Sequence, residues 1–338
     1  MSLPPKAVMA GRNAVKALLA ELPSTDTIAV ACSGGADSLA VAASLVFVAR
    51  RTGHTTAAFI IDHNMQEGSA QVAAEAAESC TKLGIDIVEI AQVHVASGPN
   101  SGGPEAAARN VRYHELERLA AKHQVETVLL GHTIDDQAET VLLGLARGSG
   151  ARSLAGMRAQ KGIFHRPFLG ITRAETEAIC QHEGLNYWID PTNLEYEDGP
   201  LRSQVRGTVV PMLDRILGPG IVSTLARTAE QLNDDAHALE QLAQEAFAKA
   251  TIGTFQEDET QITLSVSALL KTHHAIRTRA LRFAAISAGS SASALNYKHV
   301  ADLDRLLTHW HGQGPISLPG GASARRQSGN IVIKRPTV

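Results

Sequence analysis

Three groups of polar residues in this chain are spaced to manage anionic and cationic charge at close quarters. The first is Ser33-Gly34-Gly35-Ala36-Asp37-Ser38, between the apolar run Thr27-Ile28-Ala29-Val30 and an Ala/Leu/Val-rich helical stretch reaching about Arg50. Strand, glycine turn and helix make an anion site, because glycine lets backbone N–H groups approach a charge and the helix N-terminus is partly positive. The Ser33 and Ser38 hydroxyls can donate as well, and Asp37 can hold a divalent cation that bridges phosphates. The second group is Gly131-His132-Thr133-Ile134-Asp135-Asp136-Gln137-Ala138-Glu139-Thr140. On a helix starting near Asp135, Asp136 and Glu139 share a face and form a pocket for a metal ion or an ammonium group. The third consists of two arginine pairs at helical spacing, Arg109 with Arg112 and Arg202 with Arg206, the latter after Asp190-Pro191-Thr192-Asn193. Such pairs reach anions, although each alone also suits a solvated helix face. Helix capping is the plain alternative for Ser33–Ser38 and for Thr133 with its first-turn acids.

These groups need a scaffold that brings them together, and the hydrophobic pattern supplies one. Short apolar or β-branched runs at 27–32, 55–61, 85–91 and 126–131 alternate with helical patterns at about 37–51, 68–83, 104–123 and 135–146. That alternation predicts an α/β fold, a parallel sheet with helices on both faces, with ligands at the C-terminal strand ends. Two glycine-rich stretches, 97–104 and 148–166, read as loops. Leu201–Leu217 reads as a helix that stops at Gly218-Pro219-Gly220, and Ile221–Ala250 as one long amphipathic helix. Beyond it, strand-like Gln261–Ser265, helical Ala275–Ala288 and Tyr297–Trp310, and strand-like Pro315–Leu318 and Asn330–Lys334 predict a small α+β domain. The expected division is a catalytic domain at 1–217, a helical linker at 218–250 and a basic domain at 251–338.

Charge is distributed unevenly. The 338 residues carry a net −3, yet residues 271–338 hold ten Lys/Arg against two Asp, a net +8, which leaves −11 for the remainder. That asymmetry suggests a basic appendage for a polyanion on an acidic enzyme. A second basic run, Arg147, Arg152, Arg158, Lys161, Arg166 and Arg173, lies within the first domain. The three cysteines, Cys32, Cys80 and Cys180, are far apart with no C-x-x-C pair, which argues against a disulfide framework, a zinc site or an iron–sulfur cluster. No apolar run approaches the ~18 residues of a membrane span, and the N-terminus lacks a signal-peptide core, so the expected location is cytoplasmic with no membrane partner.

The first loop lacks the lysine of a Walker motif and the G-x-G-x-x-G of a dinucleotide fold. It resembles instead the PP-loop of the ATP pyrophosphatases. S-G-G-x-D-S, A-R-x-x-R-Y, H-x-x-D-D-Q-x-E-T with R-G-S-G, D-P-T-N and R-x-x-x-R, in this order over about residues 25–215, are similar to the tRNA(Ile)-lysidine synthases. The resemblance implies that ATP adenylates the C2 oxygen of the wobble cytidine of a CAU-anticodon tRNA(Ile), and that free L-lysine then displaces AMP, a carbon–nitrogen ligase reaction. It implies ATP contacts from Ser33, Gly34, Gly35, Ala36, Asp37 and Ser38, with Asp37 as Mg²⁺ ligand. It places lysine at Asp136 and Glu139, and Arg112 and Arg206 near the phosphates or the adenylated base. With the basic segments it points to Arg147, Arg152, Arg325 and Arg326 as tRNA contacts. The chain departs from the family at Asp62-His63-Asn64-Met65-Gln66, where D-H-G-L-R is usual, and at Thr133, where a second histidine is frequent. Thr133 is therefore given no role, and His63 and His132 stand as ligand contacts or hydrogen-bonded structural residues.

Two other functions use similar parts. A 2-thiocytidine-forming thiolase would share the loop, but sulfur delivery calls for paired cysteines that this sequence lacks. A non-catalytic ATP-binding regulator would not need the carboxylate pair, both arginine pairs and a basic appendage together.

Overall fold

The computed structural model describes residues 3–64, 68–94, 104–146, 151–191, 199–253, 261–292 and 294–335, the side chains of 104–106 and 152 excepted. The chain divides into two compact units, Met1–Asn233 and Asp234–Val338.

In the first unit six strands form one sheet: β1 (Thr27–Ala31), β2 (Thr55–Asp62), β3 (Ile87–Gln92), β4 (Thr127–Leu130), β5 (Gln160–Lys161) and β6 (Phe164–His165). Their order is β3-β2-β1-β4-β6-β5, parallel throughout except for β5, which returns antiparallel along β6 at the edge. The period-2 rule is visible in the core. Ile28, Val30, Ala58, Ile60 and Leu129 face one apolar cluster, while Ala29, Ala57, Phe59, Val128 and Leu130 face another. Helices cover both faces, which is why these strands read as unbroken apolar runs.

The first face is covered by α1 (Lys6–Leu19), α2 (Ala36–Thr52), α3 (Ser69–Leu83) and α7 (Arg173–Glu183). Their packing is close: a Cβ at Gly11 of α1 would lie 2.8 Å from Ile179 Cδ1 and 2.9 Å from Ser44 Oγ. The second face is covered by α4 (Pro104–Lys122), whose Leu116 and Leu119 meet Phe59 and Phe164. Then come α5 (Ile134–Ala146) and the short α6 (Ala151–Leu154). The stretch expected to be a loop at 148–166 thus contains, in its described part, one helical turn and a two-strand hairpin. The expected helix Leu201–Leu217 is present as α8 (Leu201–Gln204), a π-helical turn (Val205–Val209) and α9 (Val210–Leu217).

At Gly218-Pro219-Gly220 the chain bends by 99° into α10 (Ile221–Ala250), with both glycines left-handed at φ 97° and 100°. No single described helix is long and apolar enough to cross a membrane. The second unit takes the later half of α10 and an antiparallel sheet of β7 (Gln261–Ser265), β8 (Ile316–Ser317), β9 (Ser323–Gln327) and β10 (Asn330–Lys334), in the order β7-β10-β9-β8. It also holds α11 (Val266–Leu270), α12 (His274–Ser287) and α13 (Tyr297–Thr308). Leu281, Leu303, Leu306, Ile331 and Ile333 form its own core.

Candidate active site

β1 and β4 are neighbours in register, with Ala31 beside Leu130. Their C-terminal ends feed the Ser33–Ser38 loop and the Gly131–Thr140 segment. Strand order reverses between them, since β2 follows β1 on one side while β4 leads on the other, so the two motifs meet at the switch point of the sheet.

The loop is rigid by construction. Gly34 is left-handed at φ 82°, and its carbonyl accepts from Trp188 N at 2.9 Å. Gly35 is the N-cap of α2 and makes no side-chain cap, so the first N–H groups of α2 face the loop unclaimed by a capping side chain. Ser38 is buried and braces the turn: its hydroxyl donates to Gly35 O at 3.0 Å and accepts from Ser33 N at 3.1 Å. Of the two serines expected to donate to phosphate, Ser33 is the exposed one and Ser38 is committed within the loop. Gly131 allows β4 to end directly on α2, because a Cβ there would sit 2.8 Å from Asp37 C and Ser38 N.

Asp37 projects from the first turn of α2. Its Oδ1 accepts from Thr176 Oγ1 at 2.5 Å, and its Oδ2 lies 3.8 Å from Arg173 Nε. Burial pushes its carboxyl up to about 6, against the opposing pull of Thr176 and Arg173 and with a further push from the Asp136 charge.

Asp136 and Glu139 stand on one face of α5, both buried. Thr133, for which sequence offered capping and no ligand role, closes a capping box: its N–H and hydroxyl donate to Asp136 Oδ2 at 2.8 and 3.1 Å, and it accepts from Asp136 N at 3.4 Å. The two oxygens of this carboxylate thus divide, with Oδ2 on Thr133 and Oδ1 facing arginines. Arg173, Arg202 and Arg206 approach that Oδ1 at 3.4, 3.7 and 3.8 Å. Arg206 also clamps Glu139 with two bonds, 2.7 and 3.1 Å, while Arg173 and Arg202 lie 3.7 and 3.9 Å from the same carboxylate. Burial works to raise Asp136, but Arg173, the Thr133 N–H and Arg202 together hold it below the ordinary range. Arg202 and Arg206 flank the start of the π turn, which thus lies beside the carboxylate pair.

Arg173 was legible in sequence only as part of a basic run, and α7 was not expected at all. The signal was there. Thr172-Arg173-Ala174-Glu175 is a T-x-x-E capping box, realised by Thr172 and Glu175, and Gly184 ends the helix at φ 68°. Asp135 then ties α5 to α7 by accepting from Arg173 N at 2.8 Å.

A basic group lies beside the acids. Arg109 and Arg166 both donate to the Tyr113 hydroxyl, at 3.2 and 3.3 Å, and the Tyr113 ring packs edge-on against Phe164. Arg112 lies close enough to His63 and His132 to lower both. Burial is the main cause for each, and it takes His132 down to about 3 despite Asp136. Both imidazoles are therefore neutral at pH 7, and His63 Nδ1 and His132 Nδ1 are buried with no hydrogen-bond partner among the described residues. Asn64, where the family usually has glycine, is left-handed at φ 48°, a conformation asparagine tolerates. Arg147 and the Arg152 side chain lie outside the described residues, as do Met65, Gln66, Thr192 and Asn193.

In the second unit, Arg326 is occupied. It donates to Leu306 O and Leu307 O at 3.2 and 3.1 Å, closing the C-terminal end of α13, and stands over Trp310. Arg325 is its neighbour on β9, half-buried.

Comparison with known proteins agrees with this geometry. A family model described as the PP-loop domain matches residues 10–213, and one described as the TilS substrate binding domain matches residues 264–332. Curated tRNA(Ile)-lysidine synthases are similar over most of their length. That of Thermobifida fusca is 46% identical over 98% of this chain and 99% of its own, and that of Streptomyces coelicolor 45% over 93% and 87%. That of Mycolicibacterium paratuberculosis is 42% identical over 97% of each. A solved structure, the U34-tRNA thiolase NcsA from Methanococcus maripaludis with its [4Fe-4S] cluster, superposes with a TM-score of 0.55 over 68% of this chain and 80% of that one. At 20% identity it shows the shared fold alone. The curated relatives fit neither of the two other functions, a 2-thiocytidine-forming thiolase or a non-catalytic nucleotide binder. With phosphate loop, carboxylate pair and both family domains in place along its length, the chain belongs to the tRNA(Ile)-lysidine synthase family.

Proposed function

We propose that the chain is a carbon–nitrogen ligase that makes lysidine at the wobble cytidine of a CAU-anticodon tRNA(Ile), acting in the cytoplasm. In the first step the cytidine C2 oxygen attacks the α-phosphorus of ATP, the bond to the β-phosphate oxygen breaks, and pyrophosphate leaves. In the second the lysine side-chain amine, as free base, attacks C2, AMP departs with the oxygen, and the nitrogen loses a proton. The C2 oxygen alone is a poor leaving group, and adenylation turns it into a good one.

The observation that carries this reading is the meeting of the phosphate loop and the Asp136–Glu139 pair across adjacent strands, with Gly131 holding them in contact. The exposed Ser33 and the first N–H groups of α2 suit the triphosphate. Asp37 suits Mg²⁺. Burial disfavours its ionised form, which a bound cation would offset, and although no cluster of three ligand side chains exists among the described residues, Mg²⁺ needs only one or two carboxylates beside phosphate oxygens. When bound, the ion would offset charge on departing pyrophosphate. Asp136 and Glu139 would receive the lysine ammonium group. Arg112, His63 and His132 form a neutral-to-basic wall whose unpartnered ring nitrogens suit a nucleobase edge. Residues 251–338 would grip tRNA through their positive charge, Arg325 among them, with Arg147 and Arg152 contributing from the first unit.

Pyrophosphate release tests the reading. Purified protein with ATP, Mg²⁺, lysine and a CAU-anticodon tRNA(Ile) transcript should release it, and omission of tRNA should abolish release. Release that is indifferent to tRNA would overturn the assignment.

A further inference from the structure

Asp37, Asp136 and Glu139 make up three negative charges, and Arg173, Arg202 and Arg206 balance them one for one. Glu139 is 2% exposed and Asp136 10% in their side chains, so the acidic centre of this ionic group is largely desolvated, although Asp37 and the three arginines keep 21–28% of theirs exposed. A lysine ammonium entering it adds a fourth cation to three anions. In a desolvated setting an uncompensated charge is costly. One guanidinium must therefore leave when the ammonium arrives.

The geometry identifies which one. Arg206 is bound to Glu139 in the bidentate fork that is hardest to break, and Arg202 also donates to Thr140 Oγ1 at 3.3 Å. Arg173 reaches Asp136 through one long hydrogen bond of 3.4 Å and lies 3.7 and 3.8 Å from Glu139 and Asp37. Its guanidinium lies within 4 Å of all three carboxylates. Its backbone is fixed by the Thr172–Glu175 capping box and by Asp135, whereas its side chain can swing about that anchor. The Asp37 contact places its guanidinium beside the first turn of α2, where a triphosphate would lie.

Resting on the assignment of ATP to the loop and lysine to the pair, we infer that Arg173 is an exchange residue. It screens the carboxylates until a triphosphate draws it to the α2 end of the site, and the vacated positive charge is then supplied by lysine. With Arg173 on the phosphates, Arg202, Arg206 and the ammonium again balance three carboxylates. Nucleotide and lysine binding are thereby coupled through a positioning residue that needs to touch neither the amine nor C2.

Equilibrium dialysis of radiolabelled lysine against the full-length protein tests this, with and without Mg²⁺ and α,β-methylene-ATP, whose α–β linkage cannot be cleaved. The analogue should tighten lysine binding by about tenfold or more, and lysine should tighten analogue binding by the same factor, as linkage requires. In Arg173→Gln, lysine should bind more tightly without nucleotide and the coupling should fall below about threefold. Arg173→Lys, which keeps the charge, should retain most of the coupling and controls for misfolding. Equal lysine affinity with and without the analogue in the parent protein, or undiminished coupling in a folded Arg173→Gln, overturns the inference. So does an absence of lysine binding in both conditions. Lysine incorporation into tRNA separates the two levels: if it proceeds, the functional reading stands and only the exchange fails, and if it does not, both fall.

Discussion

Asp37 is held in a position where ionisation is unfavourable, and this is a property of its place in the loop. Burial moves its carboxyl from the ordinary 3.8 to about 6, and Asp136 adds to the push. Between those values the folded chain keeps a proton that the unfolded chain has released, so stability falls as pH rises through that window and the loss is complete above it. Without metal or nucleotide, Asp37→Asn should therefore be more stable than the parent at pH 8 by about 2–3 kcal/mol and equal to it at pH 4. Urea unfolding at the two pH values measures this. The same substitution should abolish pyrophosphate release, and a variant that stays active, or that is destabilised at pH 8, contradicts the role given to Asp37. Glu139 tests the other half of the site. Glu139→Gln keeps its shape but removes the charge, so the KM for lysine should rise by about tenfold or more, with a smaller change for ATP. If the ATP requirement moves and the lysine requirement does not, the pair serves a metal instead.

Elements place these residues by close backbone contact. β4 ends on the first turn of α2 because residue 131 has no side chain, and a Cβ there would overlap Asp37 and Ser38 backbone atoms at 2.8 Å. Gly131→Ala should cost about 1–3 kcal/mol of stability. It should also slow turnover by roughly a hundredfold, since sub-ångström shifts between the two motifs misalign the reacting groups. Steady-state kinetics beside a thermal melt decide it: full activity would mean the contact is only packing. The sequence made this contact hard to see. Glycine at the end of a strand is common, and close approach is a property of two segments far apart in the chain. The strand–helix alternation of the core was legible because both faces of the sheet are covered, giving Ile28–Val30 and Ala57–Ile60 an unbroken apolar signature. The edge hairpin β5–β6 has strands of two residues each, too short for any period to register. α7 was missed although its capping box was present, and with it went Arg173. Asp136 was legible both as a cap and as half of a carboxylate pair, and in the structure one of its oxygens accepts from Thr133 while the other faces three arginines.

Across the whole molecule, the net +8 of residues 271–338 beside −11 elsewhere is the feature that points to tRNA. Charge count, however, does not tell a free arginine from an occupied one. Arg325 and Arg326 are adjacent in sequence, yet Arg326 is engaged with two carbonyls at the end of α13. Counterion release gives a slope of about −0.7 to −0.9 per phosphate contact. Arg325→Ala should weaken tRNA binding and flatten the salt dependence by roughly one unit, while Arg326→Ala should mainly destabilise the second unit by about 1 kcal/mol. Filter binding across a salt series, with a melt of each variant, separates the two, and an unchanged slope in Arg325→Ala removes that residue from the interface. In the proposed function, one site joins lysine to a tRNA base at the expense of ATP. Its most direct test is the mass of the wobble nucleoside after digestion of a CAU-anticodon tRNA(Ile) incubated with protein, ATP, Mg²⁺ and isotopically labelled lysine. The wobble cytidine should gain one labelled lysine and lose its C2 oxygen, with AMP formed in equal amount. An unmodified cytidine, or one that carries sulfur or adenylate without lysine, would contradict it.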